Sequence, residues 1–265
     1  MPDFRPHILA VHPRTTIRES HHVPHLNTTV RFLRAVPADL DVIFDYICDV
    51  QRQIEPMNLA INATEEELRE WHAEEVPEWM NEGIVVLATD CFEIVGLAAG
   101  KVIRTNGLSK RPVKLEDDYV EKIAACPLKT EGERVMRVFV DEIESFIPNF
   151  LPADCSAFFQ IDCLSVRLDY QRAGIGAQLW KEILRLVRAA GITHASSTCI
   201  ADGSTLIAKK FGMKAYVSIP YADFRANGAP PFGSQLPDGS AAANLMVGGM
   251  DAMAAHLDVE EQVSA

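Results

Sequence analysis

The segment Asp162-Cys163-Leu164-Ser165-Val166-Arg167-Leu168-Asp169-Tyr170-Gln171-Arg172-Ala173-Gly174-Ile175-Gly176-Ala177 constrains the fold more than any other. It joins the apolar run "AFFQIDCLSV" (157–166) to a helical pattern over 174–190. The run is nearly continuous in apolar residues, which predicts a central strand covered on both faces. In the following pattern Ile175, Leu179, Ile183 and Leu186/Val187 recur at helical spacing and define one buried face. The first turn of that helix is therefore Gly174, Ile175, Gly176 and Ala177, mostly without bulk. Backbone N–H groups at such a turn can approach an anion closely, and the positive end of the helix dipole adds to the attraction. A phosphate or pyrophosphate site is expected there, with Gln171 and Arg172 as side-chain donors at its mouth. The pattern is neither GxGxxG nor GxxxxGK[ST], which disfavours a dinucleotide fold and excludes a P-loop.

Strand and helix patterns alternate along the rest of the chain. Strands are expected at 28–36, 84–90, 93–103, 157–166, 193–201, 214–224 and 244–250, and helices at 37–55, 62–83, 113–147 (two), 174–190 and 204–213. Pro77 should kink or break the second helix. Gly96 and Gly100, inside one strand, point to a bulge or a close backbone approach. The class is α/β: a mixed, mostly antiparallel central sheet flanked by helices, with a two-helix insertion before the central strand. Residues 1–28, rich in Pro, His, Thr and Arg, are read as an irregular arm, 29–252 as one domain and 253–265 as a polar tail.

Composition narrows the function. At 265 residues with 48% hydrophobic content the chain can bury a full core. A net charge of −12 disfavours a nucleic-acid partner and suits a small cationic ligand. No apolar run is long enough to span a membrane, and no N-terminal apolar stretch resembles a secretory signal, so a cytoplasmic protein without membrane partner is expected. Six cysteines lack CxxC spacing and read as reduced thiols. His21, His22 and His25 lack a Cys or carboxylate at ligand spacing, and His72, His194 and His256 read as structural, so no metal site is expected.

The combination of strand, Q-x-x-G-x-G, amphipathic helix and "KKFGM" resembles the GNAT superfamily of acyl-CoA N-acyltransferases. Gln171-Arg172-Ala173-Gly174-Ile175-Gly176 matches the superfamily motif, and Phe211-Gly212-Met213 its later glycine segment. The resemblance covers about residues 30–250 and is sharper to the insect-type arylalkylamine N-acetyltransferases. "IEPMN" (54–58), the insertion at 113–147, and "YADF" (221–224) followed by a Pro-containing loop and "LMV" carry it. It implies acetyl-CoA as co-substrate, with its pyrophosphate on the amides of 171–177 and its pantetheine arm paired along Leu164, Ser165 and Val166. It implies Glu55 as catalytic base acting on the amine through water, and a backbone N–H near Leu164 as oxyanion donor. Burial beside Ile54 and Met57 would raise the pKa of Glu55.

The chain departs from the pattern at the leaving group. The tyrosine many members carry falls here on Ala208. Of two serines in the insect-type branch, Ser204 is matched and doubles as a helix N-cap, whereas the other position is Ile200. Tyr216, Tyr221, Trp71 and Trp79 are candidates to line an aromatic amine pocket. The implied acceptor is a small primary amine of arylalkylamine type. The alternatives are another amine (polyamine, amino acid, xenobiotic amine or protein N-terminus) or an acyl-CoA sensor without turnover. A monomer or weak dimer is expected.

Overall fold

A computed structural model describes residues 4–258. Eight strands form one sheet: β1 (Thr16–Val23), β2 (Thr28–Arg34), β3 (Gly83–Asp90), β4 (Glu93–Arg104), β5 (Ala157–Val166), β6 (His194–Cys199), β7 (Lys214–Pro220) and β8 (Ala242–Gly249). The helices are α1 (Leu40–Ile54), α2 (Pro56–Ala60), α3 (Glu65–Glu82), α4 (Val120–Ala125), α5 (Glu131–Glu144), α6 (Ile175–Ala189), α7 (Asp202–Lys210) and α8 (Met250–Leu257). The order across the sheet is β1-β2-β3-β4-β5-β6-β8-β7, antiparallel throughout except for β5 and β6. This is the mixed, mostly antiparallel sheet expected from the sequence, with α4 and α5 as the two-helix insertion before β5.

Strand β5 shows why the sheet is covered on both sides. Phe159 and Ile161 pack into the core under α6 with Leu179, Trp180 and Ile183. Phe158 faces the core built by the insertion with Phe139, Tyr221 and Phe224. Cys163 joins the core beneath α1 and α3 with Ile47, Val76 and Trp79. The two-faced apolar run is thus consumed by helices on opposite faces. Thr64 and Thr130 start α3 and α5 through capping boxes with Glu67 and Glu133, each satisfying orphan amides of the first turn.

Three expectations are corrected. Residues 1–28 are not uniformly irregular: Thr16–Val23 pairs antiparallel with β2 as the sheet edge. Its polar side chains hide the alternation because an edge strand keeps one side in solvent. Residues 250–257 form α8, with Met253 and Leu257 buried, where a polar tail was expected from 253; residues 259–265 lie outside the described part. Pro77 does not break α3, which runs through it. Burial of Val76 and Trp79 on either side of Pro77 outweighs the one missing backbone hydrogen bond.

Among the described residues no helix is long and apolar enough to cross a membrane. Gly100 sits at a β-bulge, as its position in the strand suggested: Ala99 pairs with Cys163 and Gly100 with Ile161, leaving Asp162 as the extra residue of β5.

Candidate active site

Strands β5 and β6 pair at only two positions, Phe159 with Ala195 and Gln160 with Ser196. Both continue beyond them, to Val166 and Cys199, and diverge. Ser197 Oγ donates to the Ile161 carbonyl at 2.9 Å and bridges the start of the opening. From Cys163 to Val166 the β6-facing edge of β5 has no strand partner.

The loop 171–174 lies at the mouth of that opening. Arg172 (φ +62°) and Gly174 (φ +78°) both adopt left-handed backbone. A non-glycine residue there is strained, and successive amides around such residues form a concave anion-binding nest. The amides of Arg172, Ala173 and Gly174 donate to no backbone carbonyl among the described residues. Ile175 is buried under the helix, and Ala173 and Ala177 are half-buried. A Cβ on Gly176 would lie 3.7 Å from Val166 and 3.9 Å from Leu164, so the first turn of α6 stands directly against the free end of β5. Gln171 is placed differently from expectation. Its Nε2 donates to the Val166 carbonyl at 2.9 Å, tying the loop to the strand instead of facing the mouth. Arg172 is exposed.

Glu55 ends α1 and caps α2. Its carboxylate accepts from the Asn58 amide at 2.7 Å, and Pro56 at the first position of α2 fixes the turn. Burial pushes its pKa up to about 7; the amides of Asn58 and Met57 oppose the rise. The side chain keeps part of its surface open to solvent, so protons can reach it. Its charge is felt at Cys163 on β5 and at the Tyr221 hydroxyl, both of which are raised chiefly by burial. Gln51, whose carbonyl accepts the Glu55 amide, donates to Cys163 Sγ, so the end of α1 is tied to the start of the free strand edge. A carboxyl tuned near neutrality is suited to general-base work.

At the end of β6, Ser204 Oγ donates to the Ala201 carbonyl at 2.8 Å. The N-cap of α7 is Ala201, so Ser204 is not the cap that the sequence suggested. The Cys199 thiol, which donates to Ser197 Oγ at 3.9 Å, is lifted by burial to about 11, with Ser204 opposing the rise. Ile200 contributes through its backbone: its carbonyl accepts from the Tyr221 hydroxyl at 2.6 Å. Ala208 is fully buried and offers no donor.

No family profile and no curated protein matches the sequence. Solved structures do match. An arylalkylamine N-acetyltransferase 2 from Aedes aegypti superposes with a TM-score of 0.68 at 16% identity, covering 83% of this chain and 99% of that one. A polyamine N-acetyltransferase from Drosophila melanogaster, which forms N-acetylagmatine, gives 0.61 at 13% over 83% and 99%. The C-terminal condensation domain of Ebony, in complex with β-alanyl-dopamine, gives 0.63 at 12% over 83% and 98%. The fold is that of the GNAT acetyltransferases.

Within this GNAT fold the four aromatic candidates separate. Trp71 donates to Glu75 at 3.0 Å and packs on the core that also holds Tyr221, whose hydroxyl reaches the Ile200 carbonyl just past the end of β6. Trp79 is buried in the wall, its Nε1 donating to Asp162 at 2.8 Å. Tyr216 is exposed and stacks on Phe150, beside His194 at the opposite end of β6.

The sequence reading missed an acidic wall. Asp162 is pushed up to about 7 by burial and the charge of Glu75, although its surface is solvent-accessible. Glu144 rises to about 8 through burial and the charge of Asp162. The Gln160 side chain opposes both rises, and Thr198 Oγ1 contacts Glu144 at 3.5 Å. Behind them His72 bridges Gln51 and Glu75, at 3.1 Å each, and Gln51 donates to Cys163 Sγ at 3.0 Å. A single carboxylate inside the run "AFFQIDCLSV" was the available signal. Among the described residues no group of three or more His, Cys, Asp or Glu is arranged to hold a metal.

Proposed function

We propose that this protein is an acetyl-CoA-dependent N-acetyltransferase acting on a small primary amine. The observation that carries the reading is the splayed free edge of β5, with the left-handed loop at its mouth and the end of α1, which leads into Glu55, tied to Cys163 through Gln51. The residues fit acetyl-CoA: the nest of 172–174 and the first turn of α6 would hold a pyrophosphate, and the edge 163–166 would pair with an extended arm. When bound, acetyl-CoA supplies an activated acyl thioester. Glu55 takes a proton from the arriving ammonium, directly or through water, so that the neutral amine can attack. A β5 amide near Leu164 stabilises the negative charge on the acyl oxygen. Ser204 and the Cys199 thiol, beside the end of β6, replace the absent tyrosine as proton donors to the leaving thiolate.

The likeness to the insect-type enzymes supports an arylalkylamine acceptor, with Trp71 and Tyr221 at its ring. The acidic wall favours a second reading, an acceptor with a second cationic group seated between Asp162 and Glu144. Neither carboxylate forms an ion pair among the described residues, since nearby Lys101 bonds Glu78 and Arg137 bonds Asp141. Ser196 Oγ, fully buried and without a partner, lies in register with Gln160 on the same face.

Release of free CoA thiol with tyramine, dopamine, tryptamine, serotonin, spermidine, lysine and a peptide tests both readings. Turnover confined to aromatic amines establishes the first. If diamines are preferred, Asp162→Asn should raise their KM roughly ten-fold while leaving monoamines within about two-fold, the loss of one charge-assisted bond. Acetyl-CoA binding without turnover of any amine overturns the enzyme and leaves an acyl-CoA sensor.

A further inference from the structure

The edge strand β1 lies outside the region that carries the motif resemblance, yet it touches the motif loop. His21 Nε2 is 2.6 Å from the Ala173 carbonyl, and His25 Nε2 is 2.8 Å from the Asp169 carbonyl. A carbonyl only accepts, so each Nε2 carries the hydrogen. The His21 ring is held from the other side by Phe32, edge to face at 5.8 Å, and Phe32 is fully buried. The same ring lies against Gly174, where an added Cβ would meet Cε1 at 3.6 Å. Arg18 of β1 also reaches Glu182 on α6, at 3.7 Å. The strand thus grips the loop and the helix it leads into.

We propose that His21 is a positioning residue for the anion-binding loop, with His25 as its support. The peptide unit joining Ala173 to Gly174 is planar and trans, so its C=O and N–H point in opposite directions. Holding the Ala173 carbonyl toward β1 turns the Gly174 N–H away from β1, toward the mouth of the nest. Arg172 and Gly174, on either side of Ala173, are both left-handed, and among the described residues no helix or strand bond fixes the unit. Without the imidazole the peptide is free to flip, and a flip replaces a donor with a carbonyl oxygen facing the phosphate. His25 restrains the loop's other root through Asp169, which Arg167 also pairs. The ligand class is a pyrophosphate-bearing acyl carrier, so the inference rests on the proposed function.

The test compares two probes by calorimetry, CoA and pantetheine, of which only the first carries the pyrophosphate. In His21→Phe the ring stacking on Phe32 is kept and the donor is lost. This variant should bind CoA roughly ten-fold more weakly, bind pantetheine as the wild type does, and show an unchanged amine KM. His21→Gln places an amide N–H near the same point and should recover most of the CoA affinity. Equal CoA affinity in wild type and His21→Phe overturns the proposal, as does equal weakening for both probes or a His21→Gln variant no better than His21→Phe. A melting temperature within about 2 °C of wild type for His21→Phe excludes general unfolding as the cause. Wild-type protein with no affinity for CoA overturns the proposed function, and this inference with it; pantetheine-competent wild type with an unaltered His21→Phe overturns this inference alone.

Discussion

Glu55→Gln should lower kcat by about 10²- to 10⁴-fold while leaving acetyl-CoA affinity nearly unchanged. The glutamine keeps the shape and can still accept the Asn58 amide, but it cannot take a proton. In the wild type the rate of acetyl transfer should rise with pH through about 7, where the buried carboxyl loses its proton, and that limb should vanish in the variant. Stability moves the other way. The folded carboxyl releases its proton near 7 and the unfolded one near 4.5, so the folded state holds more protons between those values. Folding is therefore favoured at the acid end of this window and weakened as pH rises through it. Asp162 and Glu144 are raised in the same direction and add to the trend. Urea midpoints at pH 5 and pH 8 check this: the wild-type midpoint should fall between them, and Glu55→Gln should reduce the fall. A flat wild-type midpoint, or a variant that keeps both its rate and its pH limb, excludes Glu55 as the base.

Gly100→Ala should destabilise the fold by about 3 kcal/mol or more. A Cβ at this position would fall deep inside the Gln160 carbonyl oxygen and 2.9 Å from Phe159 Cε1. Gln160 is one of the two β5 residues that pair with β6, so backbone movement there reaches the opening as well. Gly203→Ala is the matched control. Nothing lies within 4 Å of its added Cβ, and it sits in helix α7, so it should be neutral or stabilising by about 0.5 kcal/mol. Denaturant midpoints for the pair measure the difference. A Gly100→Ala variant as stable as Gly203→Ala would show that β4 and β5 do not approach as described.

Most of the architecture was legible because its signals are local. The helical spacing of Ile175, Leu179 and Ile183 and the two-faced strand before them need no knowledge of the rest of the chain. Glycines at 174 and 176 marked the nest for the same reason, and Gly100 marked the bulge. What failed depends on partners distant in sequence. Thr16–Val23 is a strand only because β2 supplies its hydrogen bonds, and its polar pattern is that of an edge. Gln171 reads as a ligand donor until the Val166 carbonyl appears beside it. The acidic wall draws Glu75, Glu144 and Asp162 from α3, α5 and β5, and no spacing rule joins them. Tyr216 and Tyr221 are five residues apart yet lie toward opposite ends of β7, Tyr216 near its start and Tyr221 just past its end, because the chain between them is extended.

The two paired positions between β5 and β6 divide the sheet into a five-stranded wing and a three-stranded wing. The hydrophobic cores run beneath both wings, joining Phe159 and Ile161 to Ala195 and Met246 on one face and Phe158 to Val217 and Leu245 on the other, so the seam is a gap in backbone pairing alone. An inner strand edge ordinarily invites another chain to add to it. Here the opening is closed at its apex, where Ser197 Oγ donates to the Ile161 carbonyl, so an added chain could pair only with the residues beyond it. On the proposed function, an acyl-carrier arm laid along 163–166 would be a transient ninth strand, present only while the co-substrate stays.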